Sequence, residues 1–421
     1  MRIAFFVHRF PVISEVFIAN AAAGLIDQGH DVDIYGLDGR PETSTQRQEV
    51  VSTYGLERRT RSFSMEGSPR RWALMAPFAG LKIAATHGPR IAAVVDHERF
   101  GPDRSGLRAL HEASMFRRGG HYDILHCHFG TLAEPVLNHR RAGFLSGKVV
   151  VHFRGHDISR FVRTHGEHVY DRVFREADAF VANCNFFRDR AIQLGAPSER
   201  TSVVASGIDL AKFRLAKPSW KPGEPLRLLG IGRLVEKKGF QKAVEALAQL
   251  TAAGLDAYLT LAGEGPLKDD LKAQAAMLGI ADRVRFAGRV THVEIADMLE
   301  KSHALLAPSM TASDGDGDAS INTLKEAMAA GLPFVTSNHG GIPELVDGVE
   351  AGIVVKEGDA VALAEGVQTL LSRRDEWPDM GRRGRKHVQD RYSIEAVTDD
   401  IVDVYQAALD RTAACPRSPH A

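Results

Sequence analysis

The 421-residue sequence has little of several features that define other classes of protein. Its three cysteines, Cys127, Cys184 and Cys415, cannot all pair and show no CxxC spacing, which argues against a disulfide framework and against a zinc site. No apolar run approaches the roughly 20 residues that a membrane-spanning helix needs. The opening residues also lack the layout of a secretion signal. We therefore expect a protein of a reducing compartment, the cytoplasm.

Net charge is also absent, because 53 Lys and Arg balance 53 Asp and Glu. A neutral chain is a poor nucleic-acid binder, so we expect no nucleic-acid partner. The balance conceals unequal halves: residues 1–215 hold 29 basic and 23 acidic side chains (+6), and residues 216–421 hold 24 and 30 (−6). A basic first half is compatible with an anionic acceptor or an anionic membrane face, and equally with a chance imbalance.

What the sequence does contain is a repeated alternation of strand and helix patterns. Residues 2–7 (RIAFFV) form a short apolar run that is typical of a buried parallel strand, and residues 31–36 (DVDIYG) alternate like a second strand. The alternation restarts after a linker rich in Pro, Lys and Gly at 216–225. This pattern predicts an α/β fold with parallel sheets, divided into domains at 1–215 and 216–392.

The turn GIGRLVEKKGF combines Arg233 and Lys238 after one predicted strand of the second half. Ligands of open parallel sheets bind beyond the carboxyl ends of the strands. A guanidinium fork and an ammonium group converging there suit a diphosphate. The alternative is a solvated basic loop. The GEGPL turn at 263–267 lacks the GxGxxG spacing, which disfavours an NAD enzyme.

A second turn, DASINTLKE, places one carboxylate before a predicted helix and another on it, Asp318 and Glu326. The span between them is at most about 12 Å of helix, so the two acids suit the two ends of a nucleotide sugar. Ser320 or Asn322 would cap this helix, whose free amides and positive end suit phosphate. An ordinary capped surface helix is the alternative.

Two nearby patterns are weaker. The acidic loop at 314–318 resembles the start of a calcium loop, but its twelfth position is Lys325 rather than a glutamate, so we expect no calcium. The glycine-rich turn NHGGIPE at 338–344 permits close backbone approach and would bring Glu344 to a cleft, or it is simply a turn.

In the first half, three turns that follow predicted strands, HRFPVISE, LHCHFG and HFRGHD, carry polar side chains. Ser14 would cap a helix that begins near Glu15. A lone histidine is more often structural than functional, but three such turns at one sheet edge favour a cleft. The candidates on this side are Phe10, Pro11, Ser14, Glu15, His128, Arg154, His156 and Asp157.

The stretch 69–85 mixes Arg70, Arg71 and Lys82 with apolar residues. A basic amphipathic segment of this kind can lie on an anionic membrane. An ordinary helix interrupted by Pro77 is the simpler interpretation.

Together, GRLVEKKGF, GEGPL, VRFAGRV, the block DASINTLKEAMAAGLPFVTSNHGGIPELV and the SGID turn at 206–209 resemble the retaining glycosyltransferase family 4 of the GT-B fold. FPVISEVFI, LHCHFG and GHDIS are similar to the branch that builds bacterial exopolysaccharides such as colanic acid. The resemblance covers nearly the whole chain. It implies two Rossmann-like domains facing across a cleft, with a last helix at about 393–410 that crosses back to the first domain.

The resemblance also implies an activity. A sugar would pass from a UDP- or GDP-sugar to a glycan or lipid-linked glycan, without a metal or another cofactor. Contact with an anionic membrane at its inner face is compatible with this activity. A sugar-nucleotide 2-epimerase of the same fold and an inactive sugar-nucleotide binder remain alternatives.

Individual roles follow from the resemblance. Arg233 and Lys238 would hold the donor diphosphate, Asp318 would lie near the transferred sugar, and these three are the catalytic candidates. Glu326 would bind the ribose. The remaining donor-side candidates are Asn322 and Thr323 for phosphate, the backbone of Arg289 and Val290 for the nucleobase, and Gly207 in the SGID turn.

The sequence departs from the family pattern at three positions. Asp318 stands where the family usually has Glu, Arg154 where His is frequent, and Ser206 where Asn is common. The first change leaves the donor sugar open. The second replaces the histidine that the resemblance would place near the sugar, and Arg154 could instead add charge toward the phosphate.

Overall fold

The computed structural model describes residues 1–12, 15–39, 49–62, 69–95, 100, 106–318 and 321–411. Within these residues, thirteen strands form two sheets with parallel pairing throughout. The first sheet contains β1 (Arg2–Val7), β2 (Asp31–Gly36), β3 (Thr60–Ser62), β4 (His121–Cys127), β5 (Ser146–Phe153), β6 (Ala179–Ala182) and β7 (Thr201–Val203). The second contains β8 (Leu226–Ile231), β9 (Ala257–Ala262), β10 (Val284–Gly288), β11 (Ala304–Ala307), β12 (Phe334–Ser337) and β13 (Gly352–Val355).

The strand orders are β3-β2-β1-β4-β5-β6-β7 and β10-β9-β8-β11-β12-β13. In both sheets the order reverses beside the first strand, which is the Rossmann arrangement and leaves a crevice at the carboxyl ends. The predicted α/β fold with two Rossmann-like domains is confirmed.

Helices accompany both sheets. Those of the first are α1 (Val16–Asp27), α2 (Glu49–Thr53), α3 (Leu56–Arg59), α4 (Pro69–His87), α5 (Leu107–Met115), α6 (Ala133–Arg141), α7 (Arg160–His165), α8 (Asp171–Glu176) and α9 (Asn185–Gln193). Those of the second are α10 (Phe240–Ala252), α11 (Lys268–Met277), α12 (His292–Lys301), α13 (Asn322–Ala330), α14 (Ile342–Val346) and α15 (Ala360–Ser372). The chain ends in α16 (Trp377–Tyr392) and α17 (Ile394–Asp410).

Apolar layers cover both faces of each sheet. Because of this double cover, β2 is buried from Val32 to Gly36 on both sides. The alternating pattern of residues 31–36 therefore does not mark an exposed face.

The last helix, α17, packs on the first domain, where Val397 and Tyr405 join its apolar core. Helix α17 approaches α1 closely, because a Cβ atom added to Gly24 of α1 would lie 2.2 Å from the Thr398 Oγ1 atom of α17. The two connections between the domains run side by side, since the Ile208 amide donates to the Tyr392 carbonyl at 2.7 Å.

Helix α4 continues through Pro77, so the predicted interruption is wrong. Pro77 is exposed, and the buried Ala79 and Ile83 attach the helix to the first-domain core, which offsets the lost backbone hydrogen bond. None of the described helices is both long and apolar enough to cross a membrane.

Candidate functional site

A cleft of about 700 Å³ lies where the carboxyl ends of the two sheets face each other. Turns that follow strands of both domains line it, as expected for parallel sheets. It brings together eleven of the predicted site residues, Glu15, Arg154, His156, Arg233, Lys238, Arg289, Val290, Asp318, Asn322, Thr323 and Glu326. Their individual roles stay predictions.

Other predicted residues lie away from this cleft. Phe10 is 1% exposed and belongs to the first-domain core, so its placement at the cleft is wrong. Pro11 follows it through a cis peptide bond and does not line the cleft. Ser14 lies outside the described residues, and α1 begins at Val16 without a side-chain cap from Glu15. Gly207 lines a small neighbouring cavity that also reaches Glu326.

The donor-side wall contains a compact group of two lysines and two aspartates. Lys238 Nζ lies 2.7 Å from Asp318 Oδ2, and Lys237 Nζ lies 2.9 Å from Asp316 and 3.5 Å from Asp318. Ser309 donates to Asp318 at 2.9 Å. Burial opposes the ionisation of Asp318, but the two ammonium groups outweigh it and hold its pKa at about 2. Asp318 is therefore an ionised carboxylate at neutral pH.

Sequence reasoning missed Lys237, although it stands beside Lys238 in the same turn. The turns that follow β8 and β9 meet backbone to backbone here, because a Cβ atom at Gly263 would lie 1.8 Å from the Gly232 carbonyl oxygen. This close approach explains the glycine of the GEGPL turn. Arg233 is exposed on the cleft wall that results.

Helix α13 points its amino end into the cleft, with Asn322 and Thr323 in its first turn. The predicted cap is wrong for Asn322, because Ile321 is the N-cap residue and no described side chain caps the helix. Ser320 lies outside the described residues. The first amides of such a helix end, which no side chain of the described residues caps, suit an anion.

Glu326 follows on the same helix, 5% exposed, and its Oε2 atom has no hydrogen-bond partner. Burial raises its pKa to about 7, partly offset by the charge of Lys325. His292, which sequence reasoning missed, places Nδ1 3.9 Å from Glu326 Oε1. An unsatisfied buried carboxyl in a cleft is a candidate ligand contact.

Glu344 does not line the cleft, which favours the second interpretation of NHGGIPE, a glycine-rich turn. Its carboxylate instead crosses to the first domain and accepts from the Asn185 amide at 2.9 Å, the Asn185 side chain at 2.6 Å and the Phe186 amide at 3.1 Å. These are the first residues of α9, so a glutamate of one domain caps a helix of the other.

The first-domain wall is built around Arg154. Its guanidinium donates to the His128 carbonyl, to the Nδ1 atoms of His128 and His152, and to the Ser206 hydroxyl. It also lies 4.4 Å from the centre of the Phe17 ring.

His128 and Asp157 are buried and do not line the cleft, so their placement there is wrong. His128 supports Arg154 from beneath. Asp157 accepts from the amides of Gly130, Arg154 and Gly155, and thereby holds two strand-end turns together.

Among the described residues, one group has the spacing of metal ligands, the buried His126, His128 and His152. The His126 ring stacks on the other two at interplanar angles of 9° and 14°. The rings are nearly parallel and two of them accept from the Arg154 guanidinium, so a cation would meet a positive charge. This arrangement suits a structural stack rather than a metal centre.

Comparisons with known proteins agree with this architecture. Residues 14–207 match the model of the glycosyl transferase 4-like domain, and residues 212–387 match that of glycosyl transferases group 1. HepE of Anabaena, solved in complex with UDP, has a TM-score of 0.67 and 17% identity over 97% of this chain and 100% of its own. The fold is therefore that of the GT-B glycosyltransferases.

Curated relatives are more similar in sequence. WcaL of Salmonella typhimurium, named as a colanic acid biosynthesis glycosyltransferase, is 31% identical over 96% of this chain and 100% of its own. AmsK of Erwinia amylovora, an amylovoran biosynthesis glycosyltransferase, is 32% identical over 86% and 89% respectively. The chain belongs to the glycosyl transferases group 1 family and is a glycosyltransferase of exopolysaccharide biosynthesis. Neither relative favours the epimerase or the inactive binder.

Proposed function

We propose that this glycosyltransferase moves a sugar from a UDP- or GDP-sugar to a glycan or lipid-linked glycan with retention of anomeric configuration. The observation that carries the proposal is that Arg233, Lys238 and the amino end of α13 line the same cleft. Positive groups on the lining of one cleft suit a diphosphate that gains charge as it leaves.

In the proposed reaction, the bond between the anomeric carbon and the diphosphate oxygen breaks, and the acceptor hydroxyl attacks from the same face. Its proton passes to the departing phosphate. Asp318 is paired with Lys238 and Lys237, which supports this front-face route over attack by Asp318 as a nucleophile. Closure of the cleft would limit hydrolysis of the donor.

The donor base stays open in the proposal. HepE was solved with UDP, and a Mycobacterium tuberculosis relative, 27% identical over 69% of this chain and 78% of its own, is named as a GDP-mannose-dependent mannosyltransferase. Both nucleotide classes therefore belong in the test.

The test is a panel of UDP- and GDP-sugars, with release of nucleoside diphosphate as the readout and NMR of the product anomer. The proposal predicts release with one nucleotide class and an unchanged anomeric configuration. An inverted product would contradict retention. Conversion of the donor sugar without any acceptor would instead indicate an epimerase.

The same proposal includes contact with an anionic membrane through α4. Leu74, Phe78 and Leu81 are 71% to 74% exposed and fall four and three residues apart, on one helix face. The segment 69–95 contains four basic residues and no acidic residue. An exposed apolar face within a basic segment suits the surface of anionic lipids, where a lipid-linked acceptor would reside.

A further inference from the structure

Arg154 carries a positive charge that no carboxylate of the described chain pairs with directly. All of its side-chain partners are neutral: one backbone carbonyl, one hydroxyl and two imidazole nitrogens. A guanidinium can only donate, so the Nδ1 atoms of His128 and His152 accept and both rings are uncharged. Burial lowers the pKa of both histidines well below the usual value, which agrees with this assignment.

The guanidinium has one end available to a ligand. Nε and Nη2 donate three hydrogen bonds of 3.0 to 3.2 Å into the first domain, whereas Nη1 makes a longer bond of 3.3 Å to Ser206. Of the five N–H groups of a guanidinium, one on Nη1 is left without an acceptor in the described structure. Arg154 and Ser206 both line the cleft.

Burial lowers the pKa of Arg154 to about 10, against the charges of Asp157 and Glu15. The group stays charged at neutral pH. A partly buried charge of this kind is stabilised by an ion of opposite sign.

The turn that carries Arg154 lies beside the residues that precede Asp318. Gly155, next to Arg154 in that turn, faces the other domain, because a Cβ atom built there would lie 3.9 Å from the Gly317 carbonyl oxygen. Gly317 immediately precedes Asp318, the residue expected beside the transferred sugar. Arg233 and Lys238 lie on the opposite domain, where they already supply charge for the diphosphate.

We propose that Arg154 is an anion subsite at the transfer end of the cleft, which binds a carboxylate or phosphate other than the donor diphosphate. This rests on the proposed function. The anion has two possible sources, the carboxylate of a uronic acid donor or a phosphate of a lipid-linked acceptor. Either anion can accept a charge-assisted hydrogen bond from the remaining N–H of Nη1.

The first arm of the test uses donor pairs that differ only in CH₂OH against COO⁻: UDP-glucose and UDP-glucuronate, UDP-galactose and UDP-galacturonate, GDP-mannose and GDP-mannuronate. If the donor carries the anion, the wild-type protein prefers a uronate in kcat/KM. Arg154→Gln then reduces that preference by at least about tenfold, the loss expected for one charged hydrogen bond.

The second arm uses geranyl diphosphate as an inhibitor of donor hydrolysis. If the acceptor carries the anion, the wild-type protein uses the neutral donor of each pair with a kcat/KM equal to or higher than that of the uronate. Geranyl diphosphate then inhibits the wild-type protein with an inhibition constant that rises at least about tenfold in Arg154→Gln. Arg154→Lys restores part of either effect, because it retains the charge but not the hydrogen bonds that position the guanidinium.

Arg175→Gln, an exposed position on α8 outside the cleft, is the matched control and leaves all constants unchanged. The inference is overturned if wild-type protein turns over a donor yet neither discriminates the pairs nor responds to geranyl diphosphate. It is also overturned if Arg154→Gln weakens binding of UDP or GDP alone, which would place Arg154 on the diphosphate. The donor preference and the inhibition by geranyl diphosphate are measured first on the wild-type protein. The inference can therefore be overturned even if Arg154→Gln does not fold. Absence of turnover with every donor would instead count against the proposed function.

Discussion

Lys238 Nζ lies 2.7 Å from Asp318 Oδ2, so the cation expected at the donor diphosphate is paired with the acid expected at the transferred sugar. Lys237 adds a second cation to the same carboxylate at 3.5 Å. The group of two lysines and two aspartates is therefore neutralised internally before a donor arrives. A bound diphosphate would exchange the partner of Lys238, while Lys237 keeps Asp318 compensated.

Replacing Lys238 by Ala should reduce turnover by well over tenfold while the fold survives. The variant loses a cation at the leaving group, but Asp318 keeps Lys237 as a partner, so no carboxylate is buried alone. Release of nucleoside diphosphate measures the rate, and circular dichroism checks the fold. Lys242→Ala, which removes a lysine paired with Glu245 on α10, is the control with normal turnover. Near-normal turnover in Lys238→Ala would remove the diphosphate role.

The affinity for UDP-glucose or GDP-mannose, whichever binds, should rise as the pH increases through about 7. The pKa of Glu326 is raised to about 7, so its carboxyl is neutral below that pH and ionised above it. Ionised carboxylates are the stronger acceptors for ribose hydroxyls. Isothermal titration calorimetry between pH 6 and 8 measures the trend. Glu326→Gln should bind the donor more weakly, and its affinity should not rise with pH.

The Glu326 carboxyl also affects stability, and its contribution should fall as the pH rises. Its folded pKa lies above the ordinary value of about 4.3, so the folded state retains the proton and loses relative stability as the pH rises from about 4 to 7. Urea unfolding of the wild type and Glu326→Gln checks this sign. A difference between the two proteins that does not change with pH would contradict the raised pKa.

Replacing Glu344 by Ala should loosen the contact between the domains. Its carboxylate accepts three N–H groups at the start of α9, so the loss should lower the free energy of unfolding by about 1 kcal/mol. Urea unfolding measures the stability, and small-angle scattering should show a larger radius of gyration. Glu350→Ala, an exposed glutamate with a distant arginine partner at 3.9 Å, should change neither. An unchanged radius would show that other contacts hold the domains.

Placing aspartate at Leu74 and Phe78 together should abolish most binding to anionic vesicles, by about fivefold or more in the sedimented fraction. The change adds negative charge to an exposed apolar face without touching the cleft. Co-sedimentation with vesicles of phosphatidylglycerol and phosphatidylcholine measures it, with pure phosphatidylcholine as the neutral surface. Met277→Asp, at a residue 81% exposed on α11, is the matched control. Equal binding of both variants would exclude α4 as the contact.

The strands and the donor-side turns could be predicted because their signals are local. Arg233 and Lys238 stand in one turn directly after β8. Glu326 stands on α13, the helix whose amino end lines the cleft. The contacts that could not be predicted involve partners distant in sequence. Glu344 bonds to Asn185, 159 positions away, and no local pattern indicates such a pair. The predictions for Phe10 and Asp157 were wrong for a related reason. Whether a residue in a turn is buried depends on which elements pack over that turn.

Hydrophobic runs and the residues that favour turns act over a few positions in the sequence. The sequence alone therefore specifies two α/β domains with parallel sheets, and the cationic turn that contains Arg233 and Lys238 before a helix. Tertiary packing decides which side chains then meet. It pairs Lys238 with Asp318, stacks three buried histidines under Arg154, and leaves that guanidinium facing the cleft without a carboxylate. Charge and burial act through space, and the distances that set them exist only once each domain has folded.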